Sequence, residues 1–113
     1  MTDLSTLTDT ELNKRLMVLD GWAQPAFGFE GWIRNQSPWR IDPLPFADSI
    51  DALKAGPEKL LREAGWVLAV TGFDGDSWSA EWWKAGRDFV LVSAPTEARA
   101  RAEAVCLGLE ASK

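Results

Sequence analysis

The chain has 113 residues, with 12 Lys and Arg against 17 Asp and Glu, and it holds seven Trp, one Cys and no His. This length fits one domain, residues 1–113, which buries enough surface to fold without a disulfide or a metal. The net charge of −5 argues against a binder of duplex nucleic acid, and the missing His removes the usual acid–base group near neutral pH.

The N-terminal segment, Met1 to Thr10, is polar and carries Asp3 and Asp9. A secretory signal needs a basic start followed by an apolar run, and this segment has neither. The longest apolar runs of the chain, such as Val67–Val70 and Phe89–Val92, are too short to cross a bilayer. We therefore expect a cytoplasmic protein that does not insert into a membrane.

The first predicted helix begins after Thr8. Thr8 and Glu11 have the spacing of a capping box, in which the hydroxyl and the carboxylate each accept a hydrogen bond from a backbone N–H. Gly21 is expected to end this helix, because glycine is common just after a helix C-terminus. The spacing places three apolar side chains on one face: Leu12, Leu16 and Leu19.

The next stretch is irregular. Residues 27–33 alternate weakly and contain two glycines, which predicts a bulged strand or a loop. Residues 37–46 hold three of the six prolines and therefore exclude a helix or a central strand. We expect an ordered Pro-rich loop at about 34–46, held in place by four apolar side chains: Trp39, Ile41, Leu44 and Phe46.

A second helical region is predicted from about Ala47 to Ala64. Gly56-Pro57 interrupts it, and because proline fits the first turn of a helix but not the interior, we expect a break and a restart there. Gly65 ends the region.

Three short strands are predicted next, at residues 66–71, 78–83 and 89–93, and two turn-rich segments separate them. Short turns between successive strands predict an antiparallel meander. Trp66, Trp78 and Trp82 are expected in the core. Strand alternation sends Trp83 to the face opposite Trp82, where it is buried if helices cover both faces and exposed if they cover one.

The last predicted helix begins near Pro95. Its apolar stripe is expected to face the core, and its charged residues, Arg99, Arg101, Glu103 and Glu110, are expected mostly on the other side. The element order predicts an α+β fold: an antiparallel sheet of three to four strands, packed with three helices in an α/β/α-type sandwich. The stripe consists of Ala98, Ala102, Val105, Cys106 and Leu109.

Several segments resemble those of small phage and prophage proteins. In chain order they are Thr8–Asn13, Gly21-Trp22, Leu61–Trp66, Trp82-Trp83 and Glu97–Ala102. On these pieces the chain resembles the phage ABA sandwich domain family. The resemblance implies a sheet between helical layers and a phage origin, hence a bacterial host cell, and it provides no catalytic residues.

The chain offers no obvious catalytic apparatus or cofactor site. A Ser or Cys nucleophile normally needs a neighbouring His, and Cys106 lies on the apolar stripe, which favours a buried structural role. Asp74 and Asp76 occupy a turn near Glu81, and this pattern is more typical of turn chemistry than of a metal site. We expect no metal and no cofactor, and a metal-dependent nucleotide hydrolase using these three acids is a distant alternative.

Tryptophans beside basic residues are the most unusual feature. An indole ring next to Arg or Lys can stack a base while the cation holds a phosphate, even in an acidic protein. The alternative is that such rings are simply large core residues with solvated neighbours. The predicted ligand-binding residues are Trp39, Arg40, Trp83, Lys84, Arg87 and Arg34.

Two functional hypotheses follow. The first is a non-enzymatic binding protein that sequesters a small anionic nucleotide-type signal, such as one used in anti-phage defence, and that forms a homo-oligomer to enclose it. The alternative is a protein-interaction module in which an exposed Trp anchors a host or phage protein.

Overall fold

The structure, a computed structural model, describes residues 4–23, 31–34, 42–73, 75–84 and 89–111. A short 3-10 turn at Leu4–Thr6 comes first. In the described ranges it is followed by four α-helices and three β-strands, which in chain order are α1 (Asp9–Leu19), α2 (Ile50–Ala55), α3 (Pro57–Glu63), β1 (Trp66–Phe73), β2 (Trp78–Lys84), β3 (Phe89–Ala94) and α4 (Glu97–Ala111).

Helix α1 begins and ends as its sequence predicts. The Thr8 hydroxyl accepts from the Glu11 N–H at 3.1 Å, and the Glu11 carboxylate accepts from the Thr8 N–H at 3.0 Å, so the capping box is confirmed. The chain leaves the helix through Gly21, whose φ of +93° is the left-handed conformation that glycine adopts without strain. Leu12 and Leu16 are fully buried, as the apolar stripe requires.

The second helical region is divided into α2 and α3 at Gly56, as predicted. Ser49 caps α2 by accepting from the Ala52 N–H at 3.2 Å, and Pro57 starts α3. Pro57 has no N–H to donate, but the first N–H groups of a helix have no partner within the helix anyway.

The segment between α1 and α2 is described only in part. Ala23 and Ile33 form an antiparallel bridge with two hydrogen bonds of 2.8 Å, so the predicted strand at 27–33 contributes its last residue to a pairing. The rest of that strand, and residues 35–41 of the predicted Pro-rich loop, lie outside the described residues. Phe46 is fully buried, and the next residue, Ala47, donates its N–H to the buried Asn13 amide oxygen at 2.7 Å.

The three strands form an antiparallel sheet in the order β1-β2-β3, which confirms the predicted meander for the described strands. Trp82 is fully buried at the centre of β2, opposite Leu68 on β1 and Val90 on β3. The pairing shifts between Leu68 and Val70, where a bulge interrupts the register. The face that carries Trp82 packs against α4.

Helix α4 is the central element of the fold. Eleven of its 15 residues are buried, because the sheet packs on one side and α1 and α3 pack on others. Small side chains make this approach possible: Ala100, Ala102 and Ala104 are fully buried. At Gly108 a Cβ atom would lie only 2.9 Å from a methyl group of the buried Leu61, so glycine lets α3 come close.

Three charged residues of α4 are buried, and the expectation that these three lie on a solvated side is wrong. Arg99, Arg101 and Glu103 are each less than a tenth exposed. Arg101 holds the buried Glu58 of α3 through two hydrogen bonds of 2.8 and 2.7 Å, and Arg99 donates to Glu103 at 2.7 Å. Because α4 has neighbours on several sides, these three charges are neutralised by partners inside the protein.

The α+β class, with helices packed on an antiparallel sheet, is confirmed. The order of the layers differs from an α/β/α sandwich. In the described part of the chain, the helices cover one face of the sheet: α4 packs on β2 and β3, α3 contacts both α4 and β1, and α1 and α2 pack against α4. Among the described residues, no helix combines the length and the apolar character needed to cross a membrane.

Candidate functional site

The face of the sheet that points away from α4 is exposed and apolar, and we call it the open face. Val67, Trp83 and Phe89 are register partners in one row across the three strands, and Glu81 and Leu91 pair in the next row. The four apolar side chains are well exposed, at 63% for Val67, 53% for Trp83, 59% for Phe89 and 58% for Leu91. The open face is thus a contiguous apolar patch with one carboxylate beside it.

Strand alternation explains why the open face exists. Trp82 and Trp83 are neighbours in sequence, but successive side chains of a strand point to opposite faces. Trp82 is therefore fully buried under α4, while Trp83 is more than half exposed. The prediction that Trp83 faces away from Trp82 is confirmed, and the exposed outcome follows because the described helices pack on one face only.

The Trp83 ring is held in a defined position. Its indole N–H donates to a Glu81 carboxylate oxygen at 2.9 Å, and its ring lies 6.0 Å from the Phe89 ring, centroid to centroid, at an angle of 33°. An aromatic pair at this separation is attractive beyond its buried area. Both contacts order the indole without covering it.

The open face becomes small and polar one row beyond Glu81. Gly72, Ser79 and Ser93 are register partners there, and none of them has a bulky side chain. The apolar groups are therefore concentrated at the end of the sheet where β2 ends and β3 begins. Trp83 and Phe89 are the largest side chains that the described residues place at that end of the open face.

Of the predicted ligand-binding residues, only Trp83 lies on the open face within the described residues. Lys84 follows Trp83 on β2 and is the register partner of the buried Trp66. Adjacent side chains of a strand point to opposite faces, so the Lys84 side chain leaves β2 on the face opposite Trp83, and the joint role of the two residues in ligand binding stays a prediction. The remaining predicted residues apart from Arg34 lie outside the described residues: Trp39, Arg40 and Arg87.

Arg34 is engaged at the end of α1. Its guanidinium donates to the Asp20 carboxylate at 3.0 Å and to the Asp20 carbonyl oxygen at 3.3 Å, and it lies 4.8 Å from the centre of the Trp22 ring. The Asp20 side chain is only 3% exposed. Burial raises the pKa of Asp20, and the charge of Arg34 acts in the opposite direction. Arg34 thus neutralises a buried carboxylate, which is a structural role.

A pocket of about 260 Å³ lies between the N-terminal turn, the end of β3 and α4. The buried Arg99 forms part of its wall. Arg99 donates to Asp9 and to the carbonyl oxygens of Leu4 and Leu7, each at 2.8 Å, as well as to Glu103. The wall groups are bonded to one another, so the cluster ties the N-terminus to α4.

Cys106 has the properties of a structural thiol. It is fully buried on α4, as the sequence predicts. Burial, together with the nearby Glu110 carboxylate, raises the pKa of the Cys106 thiol to about 12. Because the thiolate is the nucleophilic form, a thiol with this pKa does not support covalent catalysis near neutral pH.

The three acids of the hydrolase alternative are only partly described. Asp74 lies outside the described residues, whereas Glu81 lies on the open face, bonded to Trp83. Within the described ranges, no group of three or more His, Cys, Asp or Glu side chains is arranged to hold a metal ion.

Sequence reasoning missed most of the open face. Val67, Phe89 and Leu91 were assigned to strands but not to a surface. The predicted meander contains the information needed to find these residues. Once the turns are placed, antiparallel pairing fixes which odd-numbered positions of the neighbouring strands align with Trp83.

No family model matches the chain, and comparisons with curated proteins and with solved structures also find no match. The resemblance to the phage ABA sandwich family therefore stays a prediction.

Proposed function

We propose that this chain is a non-enzymatic protein-binding module that uses the open face to hold a partner. The single observation that carries the proposal is the exposure of Trp83 and Phe89 beside Leu91 and Val67 on an ordered sheet. Exposed apolar patches of a few hundred Å² on monomeric proteins often mark interaction sites. Trp is also the residue most enriched among the anchors that dominate binding energy.

The size of the open face favours a short partner segment. Two half-exposed aromatic rings and two aliphatic side chains provide roughly 300–600 Å², which is less than the roughly 800 Å² that each partner buries in a standard stable interface. A segment laid over Trp83, Phe89 and Leu91 matches this area. A large, permanent interface would need more apolar surface than the open face offers.

A small anionic ligand fits the open face less well. Glu81 is the charged group bonded to Trp83, and a carboxylate repels a phosphate. The nucleotide-sequestration hypothesis stays a prediction, and one observation favours it: the exposed Trp83–Phe89 pair is a surface on which a base can stack. Calorimetric titration with a panel of nucleotide signals tests it, and the absence of binding across the panel would remove it.

We also propose a phage origin, a cytoplasmic location and a homo-oligomeric state for this protein. A second copy of the chain is one possible partner for the open face. The experiment below distinguishes that partner from a different protein by the mass of the adduct.

Photo-crosslinking from the open face tests the proposed function directly. A benzophenone amino acid is placed at Leu91, and the protein is irradiated in its native host. We expect one discrete adduct, because a specific partner covers this position. An adduct at twice the mass of the chain would identify a second copy as the partner.

A matched control uses Val18, which is also an exposed apolar residue, at 56%, but lies on α1. The same probe at Val18 is expected to give no discrete adduct. Equal adduct patterns at the two positions, or no adduct at Leu91, would contradict the proposal.

A further inference from the structure

The group beside the exposed rings is a carboxylate, and this determines the charge of whatever binds there. One Glu81 oxygen accepts the Trp83 indole N–H at 2.9 Å. An ionised carboxylate has about four acceptor positions, so this bond leaves Glu81 able to accept further donors. None of the ion pairs among the described residues involves Glu81.

The local chemistry is that of a cation site. A cation over the face of Trp is attracted by the negative charge of the ring face, and Trp is the strongest such acceptor. Glu81 adds a formal negative charge at the edge of the same ring, and the whole chain carries −5. None of the described residues of the open face, Val67, Gly72, Ser79, Glu81, Trp83, Phe89, Leu91 and Ser93, is basic.

Arginine fits this arrangement better than lysine does. Its guanidinium is flat, so it stacks on the exposed indole, and its fork of N–H donors matches the carboxylate. Phe89 and Leu91 flank the site and provide apolar contact for the residues beside that arginine. The open face therefore favours a partner that carries a positive charge next to apolar side chains.

We infer that the open face binds a short apolar segment of a partner protein through an arginine that stacks on Trp83 and pairs with Glu81. This inference rests on the proposed function and specifies the partner that it requires. It excludes an anionic occupant at the same position. Side chains two residues apart on an extended partner strand are roughly 7 Å apart, which matches the spacing of successive rows on the open face.

The test uses two blocked peptides as probes, acetyl-Leu-Arg-Leu-amide and its counterpart with Gln in place of Arg. Binding is followed by the side-chain indole N–H resonances in nitrogen-15 NMR, and the Trp83 resonance is identified as the one missing from Trp83→Phe. We expect the Arg peptide to shift this resonance and to bind roughly three- to tenfold more tightly than the Gln peptide.

Two matched variants distinguish the effect of the Glu81 carboxylate on binding from the effect of the net charge of the chain. Glu81→Gln keeps an acceptor for the indole but removes the charge, and it is expected to abolish the preference for Arg. Glu63→Gln removes the same charge from an exposed position on α3 and is expected to keep the preference.

The outcomes also separate this inference from the proposed function. Equal affinity for the two peptides, no shift of the Trp83 resonance, or an unchanged preference in Glu81→Gln would overturn the arginine inference. If the adduct at Leu91 forms nonetheless, the open face still binds a partner, but through different chemistry. If that adduct is also absent, both proposals fail.

Discussion

The two faces of the sheet have opposite roles although they are made from the same three strands. The face under α4 buries Trp82 completely, while the open face leaves Trp83 53% exposed. Both residues are large and aromatic, and they are adjacent in sequence. Composition alone therefore does not separate a core residue from an exposed one, because the layer that covers each face decides it.

The largest expected difference between the faces comes from Trp82→Ala. This change removes a fully buried ring from the contact between β2 and α4, and it should lower the free energy of unfolding by about 3–5 kcal/mol. Urea denaturation followed by circular dichroism measures the loss. A decrease of less than about 1 kcal/mol, within the range of surface substitutions, would contradict the assignment of Trp82 to the core.

Breaking a buried ion pair should lower the free energy of unfolding about as much as removing the buried Trp82 ring. Glu58→Ala leaves the Arg101 guanidinium buried without its principal partner, which should lower the free energy of unfolding by about 3–5 kcal/mol. The same carboxylate deletion on the surface, Glu63→Ala, should change it by less than about 0.5 kcal/mol. Chemical denaturation of the two variants in parallel provides the comparison. Similar losses in both would contradict the assignment of Glu58 and Arg101 to a buried ion pair.

A smaller, pH-dependent effect is expected at Asp20. Burial raises the pKa of this carboxyl in the folded state, so its contribution to stability is complete below the unfolded pKa and is lost as the pH rises through the folded pKa. Asp20→Asn resembles the protonated form and should therefore be more stable than the parent at pH 7. The difference should shrink as the pH falls through the folded pKa.

Thermal denaturation of the parent and Asp20→Asn between pH 3 and 7 checks this sign. Arg34 remains able to donate to the Asn oxygen, so the variant keeps the hydrogen bond while losing the charge. A variant that is less stable at pH 7, with a deficit that grows as the pH rises, would show that the Arg34 ion pair outweighs the burial of Asp20.

The smallest effect on stability is expected at Trp83→Ala. The ring is more than half exposed and contacts Glu81 and Phe89 at the surface, so the free energy of unfolding should fall by about 1 kcal/mol or less. The same denaturation experiment as for Trp82→Ala measures it. A loss equal to that of Trp82→Ala would mean that the open face is a second core.

Local features of the fold were predictable from sequence because their causes are local. The Thr8–Glu11 capping box and the break at Gly56 depend on residues within four positions of each other. The opposite directions of Trp82 and Trp83 follow from the geometry of one strand. Each of these was predicted and confirmed.

Long-range partners were not predictable in the same way. Arg101 is 43 positions from Glu58, and Arg99 is 90 positions from Asp9. A helical periodicity argument assigns one buried stripe, so it placed these arginines in solvent, whereas α4 has neighbours on several sides. The candidate site is hard to predict for a related reason. Trp83 and Lys84 are adjacent in sequence, but adjacent side chains of a strand point to opposite faces of the sheet.

If Trp83 serves binding rather than stability, removing its ring should abolish partner binding and leave the protein folded. The photo-crosslinking probe at Leu91 is combined with Trp83→Ala, and adduct yield is measured with the fraction of folded protein in the same sample. We expect the adduct to be lost while the protein remains folded. An adduct of undiminished yield from folded Trp83→Ala protein would contradict that expectation.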